Sequence, residues 1–151
     1  MKIINEAQLI FDSRSANEGF ARVAVSSFFS QLDPTVEEIT DLKTAVSEAV
    51  TNAIVHGYRE YDGKVRVLLR ILEPSTAYIR IKDNGCGIDN IEQAMEPLYT
   101  TAPEEERAGL GFAVMQSFMD SVQVASRPGR GTTVTMKRII RSRRRHDTQT
   151  R

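Results

Sequence analysis

The sequence predicts an α/β two-layer sandwich, with a mixed, mostly antiparallel sheet covered on one face by helices. Three observations carry this. Residues 36–57 repeat apolar side chains at helical intervals. Two runs rich in Val, Leu and Ile, 64–72 and 76–81, are separated by Glu73-Pro74-Ser75 in the manner of a hairpin. Two more short runs near the end, 122–126 and 132–137, flank a Pro128-Gly129 turn.

Taken in order, Leu9, Ile10 and Phe11 lie in a short apolar run, 7–12, that ends at the turn formers Asp12 and Ser13 and reads as a strand. Ser15 and Glu18 have the spacing of a capping box. Phe20, Val23, Ala24, Phe28 and Leu32 follow at helical intervals, so a first helix is expected over about 16–32, with Phe20 and Val23 on its buried face. Asp33-Pro34-Thr35 stops that helix and starts a second one, whose Glu37-Glu38 pair suits the positive end of the helix dipole. Its apolar face runs through Ile39, Leu42, Ala45, Val46, Ala49, Val50 and Ala53, and Gly57 is a natural stop. Residues 58–63 read as a polar turn. After the hairpin, 92–94 suit a short helix and 97–107, with two prolines and three glutamates, a mobile loop. Residues 109–119 resume helical spacing. The total is about five strands beside about three main helices.

A chain of 151 residues has room for a single core and little more. Residues 1–140 are therefore expected to form one domain, with 141–151 as a basic, disordered tail. No apolar run approaches the roughly 20 residues that span a bilayer, and the N-terminus carries no extended apolar stretch, so a cytoplasmic location is expected. The single cysteine, Cys86, leaves no intramolecular disulfide and no zinc cluster. Net charge is zero, yet Lys137, Arg138, Arg141, Arg143, Arg144 and Arg145 crowd the C-terminal end. Such a run is usually a solvated tail, and it is assigned no site and no direct nucleic-acid contact.

Four segments carry candidate chemistry. Glu48, Asn52 and His56 stand at i, i+4 and i+8, one polar stripe beside the apolar face of the second helix. A cleft wall and a solvated helix shoulder share that pattern. Asp83-Asn84-Gly85-Cys86-Gly87 closes a strand with a carboxylate and two glycines, which suits close backbone approach to a flat ligand and equally suits an ordinary turn. Arg107-Ala108-Gly109-Leu110-Gly111-Phe112 puts glycines at a helix start, where free amides favour a phosphate, although glycines also simply punctuate helices. Gly131-Thr132-Thr133 enters the last strand.

Each segment is common, but their order is not. In that order the sequence resembles the GHKL superfamily of gyrases, Hsp90 chaperones, histidine kinases and MutL proteins, which share the ATP-binding Bergerat fold. The match spans nearly the whole chain. The segment 48–57, Glu-Ala-Val-Thr-Asn-Ala-Ile-Val-His-Gly, resembles the anti-sigma-factor serine kinase branch. Phe20-Ala21-Arg22, Gln31-Leu32-Asp33-Pro34, 97–101 and 109–112 resemble the sigma F type found in endospore-forming bacteria.

The resemblance implies ATP and Mg as cofactors, with Asn52 as the metal ligand and Glu48 as the general base toward an attacking hydroxyl. Asp83 would accept the adenine amino group, helped by Thr132 through water, with Gly85 and Gly87 making room for the base. Gly109, Leu110 and Gly111 would meet the phosphates through their amides, and Arg107 would reach the γ-phosphate. It implies a protein that sequesters a sigma factor of the sigma F type and phosphorylates a serine on the anti-anti-sigma antagonist, acting as a homodimer. Arg22, in its Phe-Ala-Arg context, is expected to touch protein partners, with a solvated helix arginine as the plain alternative. A general-stress anti-sigma kinase and a non-catalytic ATP-dependent sigma-binding module are the rival functions. Ala102 and Ala108 depart from the pattern, standing where related kinases often carry Lys and Ser.

Overall fold

The computed structural model describes residues 1–58, 62–96 and 111–141. The elements are β1 (Ile3–Asp12), α1 (Ala16–Phe29), a tight turn Ser30–Leu32, α2 (Val36–Thr51), a wider helical turn Asn52–Gly57, β2 (Lys64–Leu72), β3 (Thr76–Asp83), α3 (Ile91–Ala94), α4 (Gly111–Phe118), β4 (Ser121–Arg127) and β5 (Gly131–Ile139). The strands form one sheet in the order β1-β2-β3-β5-β4, and each of these pairings is antiparallel. Because β5 lies between β3 and β4, Asp83 at the end of β3 stands opposite Thr132 at the start of β5. Two segments distant in the sequence thereby meet.

Alternation puts Val65, Val67, Leu69 and Ile71 of β2, Ala77, Ile79 and Ile81 of β3, and Val134 and Met136 of β5 on the inner face, where all are buried. Val25 and Phe29 of α1, Leu42, Val46 and Val50 of α2 and Met115 of α4 complete the same core. A two-layer sandwich follows, as the sequence predicts. The opposite face of the sheet has no helical cover among the described residues.

Helix α1 departs from the sequence expectation. Its buried stripe is Ala21, Val25, Phe29, continued by Leu32, whereas Phe20 and Val23 are 52% and 66% exposed. The segment carries apolar residues on two overlapping stripes, and periodicity alone does not say which one meets the sheet. Phe20 still leans edge-on against Phe11 of β1, with ring centroids 6.2 Å apart. Ser15 also forms no capping bond: it is itself helical in backbone, and Glu18 turns away to accept from the Ser47 hydroxyl of α2 and to approach Arg22 at 4.0 Å. The capping box belongs to α2. The Thr35 hydroxyl accepts from the Glu38 amide at 3.1 Å while the Glu38 carboxylate accepts from the Thr35 amide at 3.0 Å, a pair that contributes about 1 kcal/mol.

Two arginines of the expected basic run are structural instead. Arg138 pairs with Asp41 of α2 at 3.0 Å and donates to the Phe118 carbonyl at the end of α4. The Arg141 amide donates to Glu38, and its guanidinium meets Asp120 at 3.0 Å. Residues 142–151 lie outside the described residues.

Candidate active site

The site forms where α2 changes pitch. Glu48 is buried near the end of α2 at 6% exposure, and Asn52 begins the wider turn one helical turn later. In that turn the Tyr58 amide donates to the Ala53 carbonyl, five residues back, at 3.1 Å. An i→i+5 turn takes one residue more than an α turn, so the pitch of the helix changes between Asn52 and His56.

The carboxamide of Asn52 stands at the first residue of α4. A Cβ built on Gly111 would lie 2.9 Å from Asn52 Nδ2 and 3.1 Å from Oδ1, so any side chain there would fill the gap between the two helices. This brings the amide-bearing end of α4, a natural place for phosphate oxygens, against an oxygen donor suited to a hard cation. No cluster of three carboxylate, His or Cys ligands exists among the described residues. Asn52, an oxygen donor suited to a hard cation, is the residue that would hold a magnesium ion here, and the ion would supply charge neutralisation to the phosphates.

Asp83 forms the floor, 5% exposed. Its Oδ1 accepts from the Gly85 amide at 2.8 Å. Burial pushes its pKa above the usual carboxylate value, opposed by the Gly85 and Thr132 backbone amides. The turn after it is held on both sides. A Cβ on Gly85 would come within 2.1 Å of the Gly57 carbonyl, to which the Cys86 amide donates at 2.9 Å. Gly87 has φ +77°, a left-handed backbone, and its open side faces the Arg127 carbonyl at the β4–β5 turn. The Cys86 carbonyl accepts from the Gly129 amide at 2.6 Å. Cys86 itself is exposed at this turn, its thiol donating to the His56 carbonyl at 3.1 Å.

Two supporting residues escaped the sequence reading. Tyr58, placed there in a polar turn, is buried; its hydroxyl donates to the Lys64 carbonyl at 2.8 Å and accepts from the Asn84 amide at 2.6 Å. The Ser126 hydroxyl accepts from the Ile88 amide at 2.8 Å and lies 2.9 Å from the Thr132 hydroxyl. A tyrosine directly after a helix-stopping glycine was the available signal for the first; nothing in the sequence marked the second.

Of the expected site residues, the structure brings Glu48, Asn52 and Gly111 to one end of the helix layer and Asp83, Gly85, Gly87 and Thr132 to the adjoining strand ends, linked through Gly57. Arg22 lies on the exposed side of α1, beside Phe20 and Val23. Arg107, Gly109 and Leu110, with Ala102 and Ala108, lie outside the described residues.

Residues 11–138 match the model of the histidine kinase-like ATPase domain. An anti-sigma F factor of Clostridium perfringens (strain SM101) is 54% identical over 134 residues, covering 89% of this chain and 96% of that protein. The anti-sigma F factor of Clostridium beijerinckii is 57% identical, covering 89% and 94%. Among solved structures, the RsbU and RsbW domains of Rv1364c from Mycobacterium tuberculosis superpose over 90% of this chain and 32% of that one, with a TM-score of 0.66 and 17% identity, a likeness of fold. The histidine kinase domain of Erythrobacter litoralis EL346 gives a TM-score of 0.56 at 17% identity, over 87% of this chain and 63% of that one. A nucleotide-binding ATPase fold of kinase type, with α2, the Asp83 turn and the start of α4 around its site, therefore places this chain in the histidine kinase-like ATPase family, among the anti-sigma F factors.

Proposed function

We propose that this chain is an ATP-dependent anti-sigma factor and serine kinase: it sequesters a sigma factor of the sigma F type and phosphorylates its anti-anti-sigma antagonist. The observation that supports this most is the placement of Glu48, near the end of α2, one turn before Asn52, which opens the wider turn, with the start of α4 against the Asn52 carboxamide.

Asp83, held ready by the Gly85 amide, accepts from the adenine amino group, and Thr132 assists through a water. Gly85 and Gly87 leave the base its space. The amides of Gly109, Leu110 and Gly111 receive phosphate oxygens, and the Arg107 guanidinium offsets charge on the γ-phosphate. Magnesium, when bound at Asn52, neutralises negative charge on the phosphates. Glu48 takes the proton from the serine hydroxyl as its oxygen bonds to the γ-phosphorus and the bond to the bridging oxygen breaks, leaving ADP and phosphoserine. The added phosphate charge then weakens the antagonist's contact with the kinase. Arg22, exposed between two exposed apolar residues, serves this protein-binding surface. The working unit is a cytoplasmic homodimer of domains spanning 1–140, and the tail over 141–151 starts from Arg141, which is held against Glu38 and Asp120.

Replacing Glu48 by Gln keeps shape and hydrogen bonding but removes the base. Nucleotide affinity by calorimetry and sigma retention by pull-down should persist, while phosphoserine formation, followed by mass spectrometry, falls by about two to four orders of magnitude. Phosphorylation at the wild-type rate would sink the role of Glu48. Sigma binding that needs ATP, without phosphorylation of any antagonist by the unmodified protein, would make this an ATP-dependent binding module.

A further inference from the structure

The helix-covered face of the sheet is apolar until its end beside the site. Ile79, Met136 and Val122 stand side by side across β3, β5 and β4, and Ile81, Val134 and Val124 form the next row. One step further the row is Asp83, Thr132 and Ser126. A polar side chain taken from water at such a place costs free energy unless it is hydrogen-bonded, and here three lie abreast.

Their hydrogens can be counted. The Ser126 hydroxyl accepts from the Ile88 amide at 2.8 Å, and it lies 2.9 Å from the Gly131 carbonyl and 2.9 Å from the Thr132 hydroxyl. An amide only donates and a carbonyl only accepts, so the single Ser126 hydrogen goes to Gly131. The contact with Thr132 is then a hydrogen bond only if Thr132 supplies the hydrogen. With one donation and two acceptances Ser126 is saturated. The reverse assignment would leave the Gly131 carbonyl facing a lone pair at 2.9 Å. Thr132 has consequently spent its hydrogen and keeps only lone pairs for anything else. Asp83, at the other end of the row, accepts from the Gly85 amide at 2.8 Å and, when ionised, has no hydrogen to give. The row therefore offers a ligand acceptors and no hydroxyl donor.

We infer that Ser126 is a positioning residue that sets base specificity: by holding the Thr132 hydroxyl turned toward β4, it makes the site take a 6-amino purine and reject a 6-keto purine. This rests on the proposed placement of the base against Asp83 and Thr132. An amino group brings two hydrogens to two acceptors, Asp83 directly and Thr132 through a water. A keto oxygen in the same place meets lone pairs from both side chains, and a polar group left unpaired in this way is what separates two bases of nearly the same shape. Ser126 acts only through Thr132. Without it the Thr132 hydroxyl is free to turn and donate, so a keto oxygen gains a partner and an amino group loses one.

The test compares ATP with inosine triphosphate, its 6-keto counterpart, by calorimetry on the full chain with magnesium. The unmodified protein should bind ATP at least about tenfold more tightly. Ser126→Ala should shrink that ratio by about three- to tenfold, and Ser126→Thr, which returns a hydroxyl, should restore it. Thr132→Val removes the hydroxyl at constant shape; it should shrink the ratio by weakening ATP alone, and Ser126→Ala added to it should change the ratio no further. A serine that merely braced the β4–β5 turn would, on removal, weaken both nucleotides by the same factor, and that result overturns the inference. So does an effect of Ser126→Ala that persists undiminished beside Thr132→Val. Should Ser126→Ala fail to fold, Thr132→Val decides, and an equal loss for both nucleotides overturns it. Asp83→Asn separates the two levels of the reading, since it should weaken ATP at least about tenfold. If it does not, or if the unmodified protein binds both nucleotides alike, the base does not sit against Asp83 and the placement falls together with the role of Ser126. If it does, while Ser126→Ala leaves the ratio unchanged, the role of Ser126 falls alone.

Discussion

Helices α1 and α2 carry five carboxylates, Glu18, Glu37, Glu38, Asp41 and Glu48, against two cations, Arg22 and Lys43. On the outer face of the sheet the balance reverses: Lys64, Arg66, Arg70, Arg80, Lys82 and Lys137 stand against Glu6 and Asp12. The two sides are opposite in sign within a chain that is formally neutral overall. The nucleotide, a polyanion, is proposed to bind on the acidic side. Its attraction must therefore come from directed groups, the amides at the start of α4 and a cation on Asn52, and not from the field of the surface.

The largest effect expected is on the directed side. Asn52→Ala should lower Mg-ATP affinity by about a hundredfold or more, measured by calorimetry with and without magnesium, while urea stability stays near wild type, because Asn52 is partly exposed and outside the core. Normal magnesium-dependent affinity in a folded variant would remove Asn52 from the metal site. An intermediate effect belongs to α1: Arg22→Glu should weaken sigma and antagonist binding about tenfold by surface plasmon resonance, with ATP affinity unchanged. Unaltered binding of both proteins would reduce Arg22 to a solvated residue whose neighbour is Glu18.

How much of this was legible beforehand depended on whether a feature was local. The strands of the 64–83 hairpin and the inward alternation of Val65, Val67, Ile79 and Ile81 were readable, because period-2 patterning is a property of each strand alone. Gly57 marked a real end, yet the change of pitch at Asn52 was invisible, since an i→i+5 turn leaves no distinct residue pattern. Phe20 was misread as core because two apolar stripes overlap on α1 and only the position of the sheet chooses between them. Arg138 and Arg141 looked like tail because their partners, Asp41, Glu38 and Asp120, are distant in sequence. The order of the four site segments was legible; that Asp83 rests against Gly57 and Thr132 required the strand order.

The smallest effect separates two carboxylates at opposite ends of the sheet. Burial raises the pKa of Asp83, so between the ordinary carboxylate value and the raised one the folded chain binds more protons than the unfolded chain, and stability falls as pH rises through that window. Asp120 is the reverse. Its burial is outweighed by hydrogen bonds from the Ile139 amide and Arg141, its pKa is depressed, and its stabilisation is present above the ordinary value and lost as pH falls through the depressed one. In nucleotide-free urea titrations across the acid range, Asp120→Asn should flatten the loss of stability on acidification and Asp83→Asn should steepen it. The opposite pattern would show that the burial of Asp83 does not govern its charge.

The contact between Gly85 and the Gly57 carbonyl has a genetic consequence. Every missense change at a glycine codon adds a Cβ, and here that atom has no room within 2.1 Å of a backbone oxygen whichever residue supplies it. A saturation library should therefore be nearly empty at Gly85 while its exposed neighbour Asn84 accepts many replacements, so that tolerance to mutation would switch between adjacent codons.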